Sequence, residues 1–178
     1  MVHLTNPVLV AYATLSGSTA EVAEAVAATI RECGLTADVK SIRDVESLEP
    51  YGPVVVGAPL YMFRWIRPAR RFVVKNRAGL AKRPCAIFAL GPFHDVKKEW
   101  LEVRAQLDKE VARFPWLSPI SVIVFGGKFD PKKLTFPYNL IMPLMHLPES
   151  DIRNWDEIRV WAGNLAREFK ARMQQPGQ

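Results

Sequence analysis

The chain has 178 residues, 49% hydrophobic and 24% charged, with a formal net charge of +6 at neutral pH. These values fit one globular domain spanning 1–178 and exclude a disordered or fibrous chain. The basic balance favours anionic partners, but the lysines and arginines are dispersed, so no nucleic-acid partner is expected.

In chain order, Val8–Ala13 is a continuous apolar run, as in a strand buried on both faces. Ser18–Glu32 has helical spacing, with Val22, Ala23, Val26, Ala27 and Ile30 on one face and Gly34 as its stop. Ala37–Ile42 and Pro53–Ala58 read as the next two strands. Ile66–Lys75 reads as a helix with Pro68 in its first turn, where proline is tolerated. Pro84–Leu90 is a fourth strand. Val96–Arg113 is a helix with Trp100, Val103, Leu107 and Val111 in one stripe, and Asp95 is placed to cap it. Ile120–Phe125 is a fifth strand, stopped by Gly126-Gly127. Trp155–Arg172 closes the chain as a helix with Ile158, Trp161, Leu165 and Phe169 on its buried face. Asn154 can cap it, and Glu157 can complete a capping box. Strands alternating with helices predict an α/β fold: a three-layer sandwich around a five-stranded parallel sheet, order 2-1-3-4-5, helices on both faces. Ligands of such sheets bind beyond the carboxyl ends of the strands. Thr14–Thr19, Pro59–Trp65 and Gly91–Lys98 should meet there, with Gly126–Ser150 as one wall.

The first of these loops is the most telling. Thr14-Leu15-Ser16-Gly17-Ser18-Thr19 follows a strand and opens a helix. Unpaired backbone N–H groups and the helix dipole make such a start an anion site, and the hydroxyls add donors. Neither G-x-x-x-x-G-K-[ST] nor G-x-G-x-x-G occurs. The loop therefore suits a phosphate monoester that is held and not transferred. The competing reading is a helix capped by Ser16 or Ser18, with no ligand.

The second loop, Pro59-Leu60-Tyr61-Met62-Phe63-Arg64-Trp65, gathers Tyr61, Phe63 and Trp65 at a strand end. A flat ligand such as an isoalloxazine ring needs such stacking surfaces. Backbone groups from Leu60 to Phe63 can bond its polar edge. Alternatively the aromatics pack against the region around Phe136–His146. In the third loop, Gly91-Pro92-Phe93-His94, Phe93 or His94 can face the other side of the ring. His94 reads equally as a solvated histidine. No acid–base triad is evident, so no catalytic residue is assigned, and no metal site is expected. Cys33 and Cys85 have no C-x-x-C partner and read as buried, inert thiols. No targeting segment is evident before Val8, and no apolar run reaches the ~18 residues of a spanning helix, so a cytoplasmic location is expected.

Several segments carry a resemblance to the flavodoxin superfamily. They are Tyr12-Ala13-Thr14-x-Ser16-Gly17-Ser18-Thr19, then Gly57-Ala58-Pro59-Leu60-Tyr61, then Phe125-Gly126-Gly127-Lys128-Phe129-Asp130-Pro131, and finally Asp151-x-Arg153-Asn154-Trp155-Asp156-x-Ile158. The last two resemble the flavodoxin-domain family of menaquinone-dependent protoporphyrinogen dehydrogenases. The resemblance implies a flavodoxin-like fold and noncovalent FMN. The phosphate would lie at Thr14–Thr19 and the ring near Tyr61. It also implies an oxidoreductase passing electrons to menaquinone or a similar quinone. The alternative is an electron-transfer protein with a redox partner protein and no organic substrate of its own. Arg64, next to the proposed ring, is placed to pair with a substrate carboxylate, and Trp65 to contact the same substrate.

The apolar insert at 128–150 pairs Lys132-Lys133 with Phe136, Tyr138, Leu140, Ile141, Met142, Leu144, Met145 and Leu147. It reads as a flap for a lipophilic quinone or a peripheral membrane contact. It reads equally as a packing loop or as the contact of a homodimer.

Overall fold

The computed structural model describes residues 6–61, 64–133, 136, 138–141 and 148–174. Its elements are β1 Val8–Tyr12, α1 Ser18–Glu32, β2 Ala37–Ser41, β3 Val54–Tyr61, β4 Arg64–Trp65, α2 Arg67–Lys75, α3 Arg77–Leu80 and β5 Cys85–Leu90. They continue with α4 Lys97–Ala112, β6 Ser121–Phe125, β7 Lys128–Phe129, a 3-10 turn Pro131–Lys133, α5 Tyr138–Ile141, β8 Ser150–Asp151 and α6 Trp155–Gln174.

Five strands pair in parallel in the order β2-β1-β3-β5-β6, which is the predicted order and orientation. Because strand side chains alternate between faces, each strand feeds two cores. Leu9, Ala11, Val54, Val56 and Ile87 pack with Ala69, Phe72 and Val73 of α2 and Leu107 of α4. Val8, Val10, Val55 and Phe88 pack with the stripes of α1 and α6 on the other side. The helix faces match the expected ones: Val22, Val26 and Ile30 of α1 and Ile158 and Phe169 of α6 are fully buried.

Helix ends follow local chemistry. Gly34, at φ +83°, takes the left-handed conformation that ends α1. Its N–H donates to Arg31 O at 2.8 Å, and Leu35 N–H donates to Ile30 O at 3.3 Å, a Schellman closure. Asn154 Oδ1 accepts the N–H groups of Asp156 and Glu157, both at 3.1 Å, and so caps α6 as expected. Asp95 does not cap α4. The cap position is Val96, which makes no side-chain cap bond. Asp95 Oδ1 accepts the Trp100 indole N–H at 2.8 Å instead.

Three features shape the site, the first and last of them departures from the sequence expectation. β3 does not end at Ala58 but runs to Tyr61 and folds back antiparallel onto β4, with Leu60 opposite Trp65 and Tyr61 opposite Arg64. The β2–β3 connection, residues 42–53, contains no helix, so one crossover of the doubly wound sheet is irregular. Finally, Lys128–Phe129 pairs antiparallel with Ser150–Asp151, so the insert leaves and re-enters the fold through a two-stranded ribbon. Within the insert, Phe136 is 77% and Leu140 63% exposed. Met142, Leu144, Met145, His146 and Leu147 fall outside the described residues, as do the side chains of Tyr138 and Ile141.

Two fold-level predictions follow from close contacts. A Cβ on Gly57 would lie 1.9 Å from the Phe88 ring. Phe88 is itself held edge-on by Trp161 at 6.1 Å between ring centroids. Gly57→Ala should therefore cost about 3 kcal/mol through overpacking, read as a lowered urea midpoint. Burial pushes the Cys85 thiol up to about 12, whereas Cys33 is only half-buried. A thiol-specific reagent at pH 8 should titrate one thiol in the native protein and two after denaturation.

Candidate functional site

The four predicted regions do converge at the carboxyl edge of the sheet. A narrow slot there is lined by Leu15, Ser16 and Ser18 of the first loop and Pro59 and Tyr61 of β3. Leu90, Phe93, Gly127, Lys128 and Phe129 close its other side.

The first loop is built as an open cradle. Gly17 sits at φ +91°, a conformation L side chains rarely adopt, and its N–H donates to Thr14 Oγ1 at 2.9 Å. Gly17 is the residue before α1, and no side chain caps the helix there. The first backbone bond, Glu21 N–H to Gly17 O, is 3.2 Å. The N–H groups of Ser18, Thr19 and Ala20 precede it and have no acceptor within the helix. Thr19 is 0% exposed, and its Oγ1 has no hydrogen-bond partner. A buried hydroxyl without a partner is costly, and a phosphate oxygen at the helix start would satisfy it. The reading of a merely capped helix fails on these points: Ser16 and Ser18 do not cap, and the orphan groups remain.

The third loop is held by α4. Phe93 N–H donates to Glu99 Oε1 at 2.9 Å, and His94 Nδ1 lies 3.1 Å from Glu99 Oε2. This fixes the loop and turns the exposed His94 toward Glu99. Of Gly91, Pro92, Phe93 and His94, only Phe93 lines the slot. It meets Phe129 with 5.4 Å between ring centroids. The slot between them encloses only about 20 Å³, room for about one water.

In the second loop, Pro59 and Tyr61 line the slot, while Leu60 is buried in the core. Trp65 does not fit the expectation that it touches substrate. It is 0% exposed, and its indole N–H donates to Ala58 O at 3.3 Å. Alternation along β4 explains this, since Arg64 points out and Trp65 must point in. Arg64 is exposed and lies opposite Tyr61, a slot residue, in the β3–β4 ladder. Met62 and Phe63 fall outside the described residues.

Two further features complete the site: the first lies in the expected wall 126–150, and the second carried no sequence expectation of a role. Lys128 and Phe129 line the slot because Gly126-Gly127 lets the chain pass very close to its neighbours. A Cβ on Gly126 would sit 2.2 Å from Ile152 O, and one on Gly127 2.8 Å from Gly91 O. The second feature is Arg153, whose side chain is only 3% exposed. Its guanidinium forks onto Asp151, Nε to Oδ1 at 2.9 Å and Nη2 to Oδ2 at 2.7 Å. Nη1 donates to Glu21 Oε2 at 2.6 Å, in the first turn of α1. The guanidinium also stacks 4.7 Å from the Trp155 ring centroid. One arginine thus ties the ribbon strand β8 and the start of α6 to the phosphate loop's helix.

Fold and site together define a doubly wound α/β protein with a phosphate cradle after its first strand and an aromatic-walled slot beside it. The sequence matches the Flavodoxin domain family over residues 9–152, and the chain belongs to that family. It is 23% identical over 172 residues to the protoporphyrinogen IX dehydrogenase [quinone] of Escherichia coli K12, covering 90% of this chain and 93% of that protein. A flavodoxin from the domain Archaea superposes with a TM-score of 0.60 at 17% identity, covering 92% of this chain and 99% of that one. Oxidised flavodoxin 1 of Bacillus cereus superposes with a TM-score of 0.54 at 20% identity, covering 93% and 97%. FMN is the cofactor of this family, and the phosphate end of the site fits it: an uncapped helix start, a left-handed Gly17 and an orphaned Thr19 hydroxyl.

Proposed function

We propose that the protein is an FMN-dependent oxidoreductase of the quinone-dependent protoporphyrinogen dehydrogenase type. The orphaned Thr19 hydroxyl in an uncapped cradle carries the cofactor half of this reading. The full-length similarity to the E. coli dehydrogenase supports the reaction half. In this reading Ser16, Gly17, Ser18 and Thr19 hold the phosphate, with Thr14 fixing Gly17. Pro59, Tyr61 and Phe93 flank the ring, and Leu15 keeps water from its edge. FMN supplies the redox chemistry, taking electrons from an organic donor and passing them to menaquinone or a similar quinone. The protein's part is to bind, orient and shield. Arg64, exposed and opposite Tyr61, is the residue placed to pair with a substrate carboxylate. The exposed Phe136 and Leu140 of the insert are the apolar surface for a lipophilic acceptor or a membrane face. Among the described residues, no helix is long and apolar enough to cross a membrane.

The purified protein should be yellow and release FMN on denaturation. Mixed anaerobically with protoporphyrinogen and a soluble menaquinone analogue, it should reduce the quinone in a substrate-dependent way. A yellow protein that reduces the quinone only when an artificial donor is supplied would instead be an electron carrier.

A further inference from the structure

A second recess shares no lining residue with the slot. It is an open recess of about 980 Å³, the size of a ligand pocket, beside the helix-free β2–β3 connection. Its walls are that connection, α2 and the end of α4. Arg43, Arg67, Arg70, Arg71, Lys75 and Arg113 line it, and no aspartate or glutamate does. Asp44 and Glu46 lie beside it in sequence but do not face into it. Among the described residues, Arg113 alone of these cations has a carboxylate within ion-pair reach, Glu110 at 3.5 Å. Arg70 Nε is buried with no hydrogen-bond partner. The floor is apolar, formed by Ile42, Val45, Phe72 and Phe114.

Five cations with no carboxylate partner among the described residues give the recess a positive potential that favours an anion. A dry floor beneath them selects a ligand with an apolar body. We propose that this recess binds a small anionic amphiphile, an apolar chain or ring carrying phosphate or carboxylate groups. A bilayer surface fits less well. The apolar side chains of α2, Ala69, Phe72 and Val73, are turned into the core, leaving Val74 as its one exposed large apolar residue. The recess is concave, so its occupant must enter it. The site is separate from the flavin slot and does not rest on the proposed redox reaction.

The FMN-loaded protein is titrated by calorimetry with decyl phosphate below its micelle threshold. Inorganic phosphate and decyl glucoside supply the anion and the chain alone. Decyl phosphate should bind at least tenfold more tightly than either. Arg43→Gln with Arg71→Gln, both exposed positions, should weaken it at least tenfold and leave the FMN absorbance band unchanged. Added salt should weaken binding in the parent far more than in the variant. Equal binding of phosphate alone, or full binding by the variant, would overturn the assignment. Binding to phosphatidylglycerol vesicles without binding of monomeric decyl phosphate would also overturn it, and would make the face a membrane contact.

Discussion

Thr19→Val should separate cofactor binding from folding, with effects of opposite sign. FMN affinity should fall by about 2–3 kcal/mol, the range for a hydrogen bond to a charged group, or roughly 30- to 150-fold. The apo-protein should become no less stable, and up to about 1–2 kcal/mol more stable, because the change removes a buried hydroxyl that has no partner. Adding Ser16→Ala should deepen the loss of FMN without lowering apo stability, since Ser16 caps nothing. Thr14→Ala is the contrasting case. Its hydroxyl accepts the Gly17 N–H, so its loss should loosen the loop and lower both quantities. Quenching of FMN fluorescence reads the affinity, and urea denaturation of the stripped protein reads the stability. If Thr19→Val destabilised the apo-protein and left FMN affinity intact, the phosphate would have to lie elsewhere.

That hydroxyl shows how far the sequence could be read. The short continuous apolar run Val8–Tyr12 marks a strand buried on both faces, and the helical spacing of Val22 to Ile30 marks a covering helix. The hydroxyl loop is legible for the same reason, as chemistry concentrated in consecutive residues. What was not legible depends on pairing between distant segments. The β3–β4 turn-back buries Trp65, although its neighbours made it look like part of an aromatic surface. Asp95 looked like a cap but meets Trp100 across one turn. The wall at 126–150 was expected, but not the tight passage of Gly126 and Gly127 against Ile152 and Gly91 that brings Lys128 and Phe129 into it. No local pattern encodes such approaches. Nor does any pattern within Ile42–Pro53 announce the recess beside α2.

Arg153→Leu should produce the second large effect, a loss of about 2–3 kcal/mol in stability accompanied by weaker FMN binding. Removing one member of a fully buried ion pair costs about 3–5 kcal/mol, because the partner is stranded. Here Glu21 and Asp151 are themselves 48% and 41% exposed and can rehydrate, which lowers the expected figure. The effect on FMN arises because Arg153 Nη1 bonds Glu21 in the first turn of α1. Without that tether the orphan N–H groups after Gly17 lose their fixed aim at the phosphate. Acid gives an independent check. Hydrogen bonds from Arg153 hold the Asp151 carboxyl below its ordinary value. A depressed native pKa contributes stability that is fully present above the unfolded carboxylate value, about 3.9, and is lost as pH falls through the native one. The gap in stability between the parent and Arg153→Leu should therefore be constant from pH 5 to 7 and narrow below about pH 4. Arg153→Lys keeps the charge but not the fork onto Asp151 or the flat stacking on Trp155, so it should recover only part of either loss. A lysine variant equal to the parent in both stability and FMN affinity would show that charge alone, and not the guanidinium's geometry, holds the ribbon to the phosphate loop.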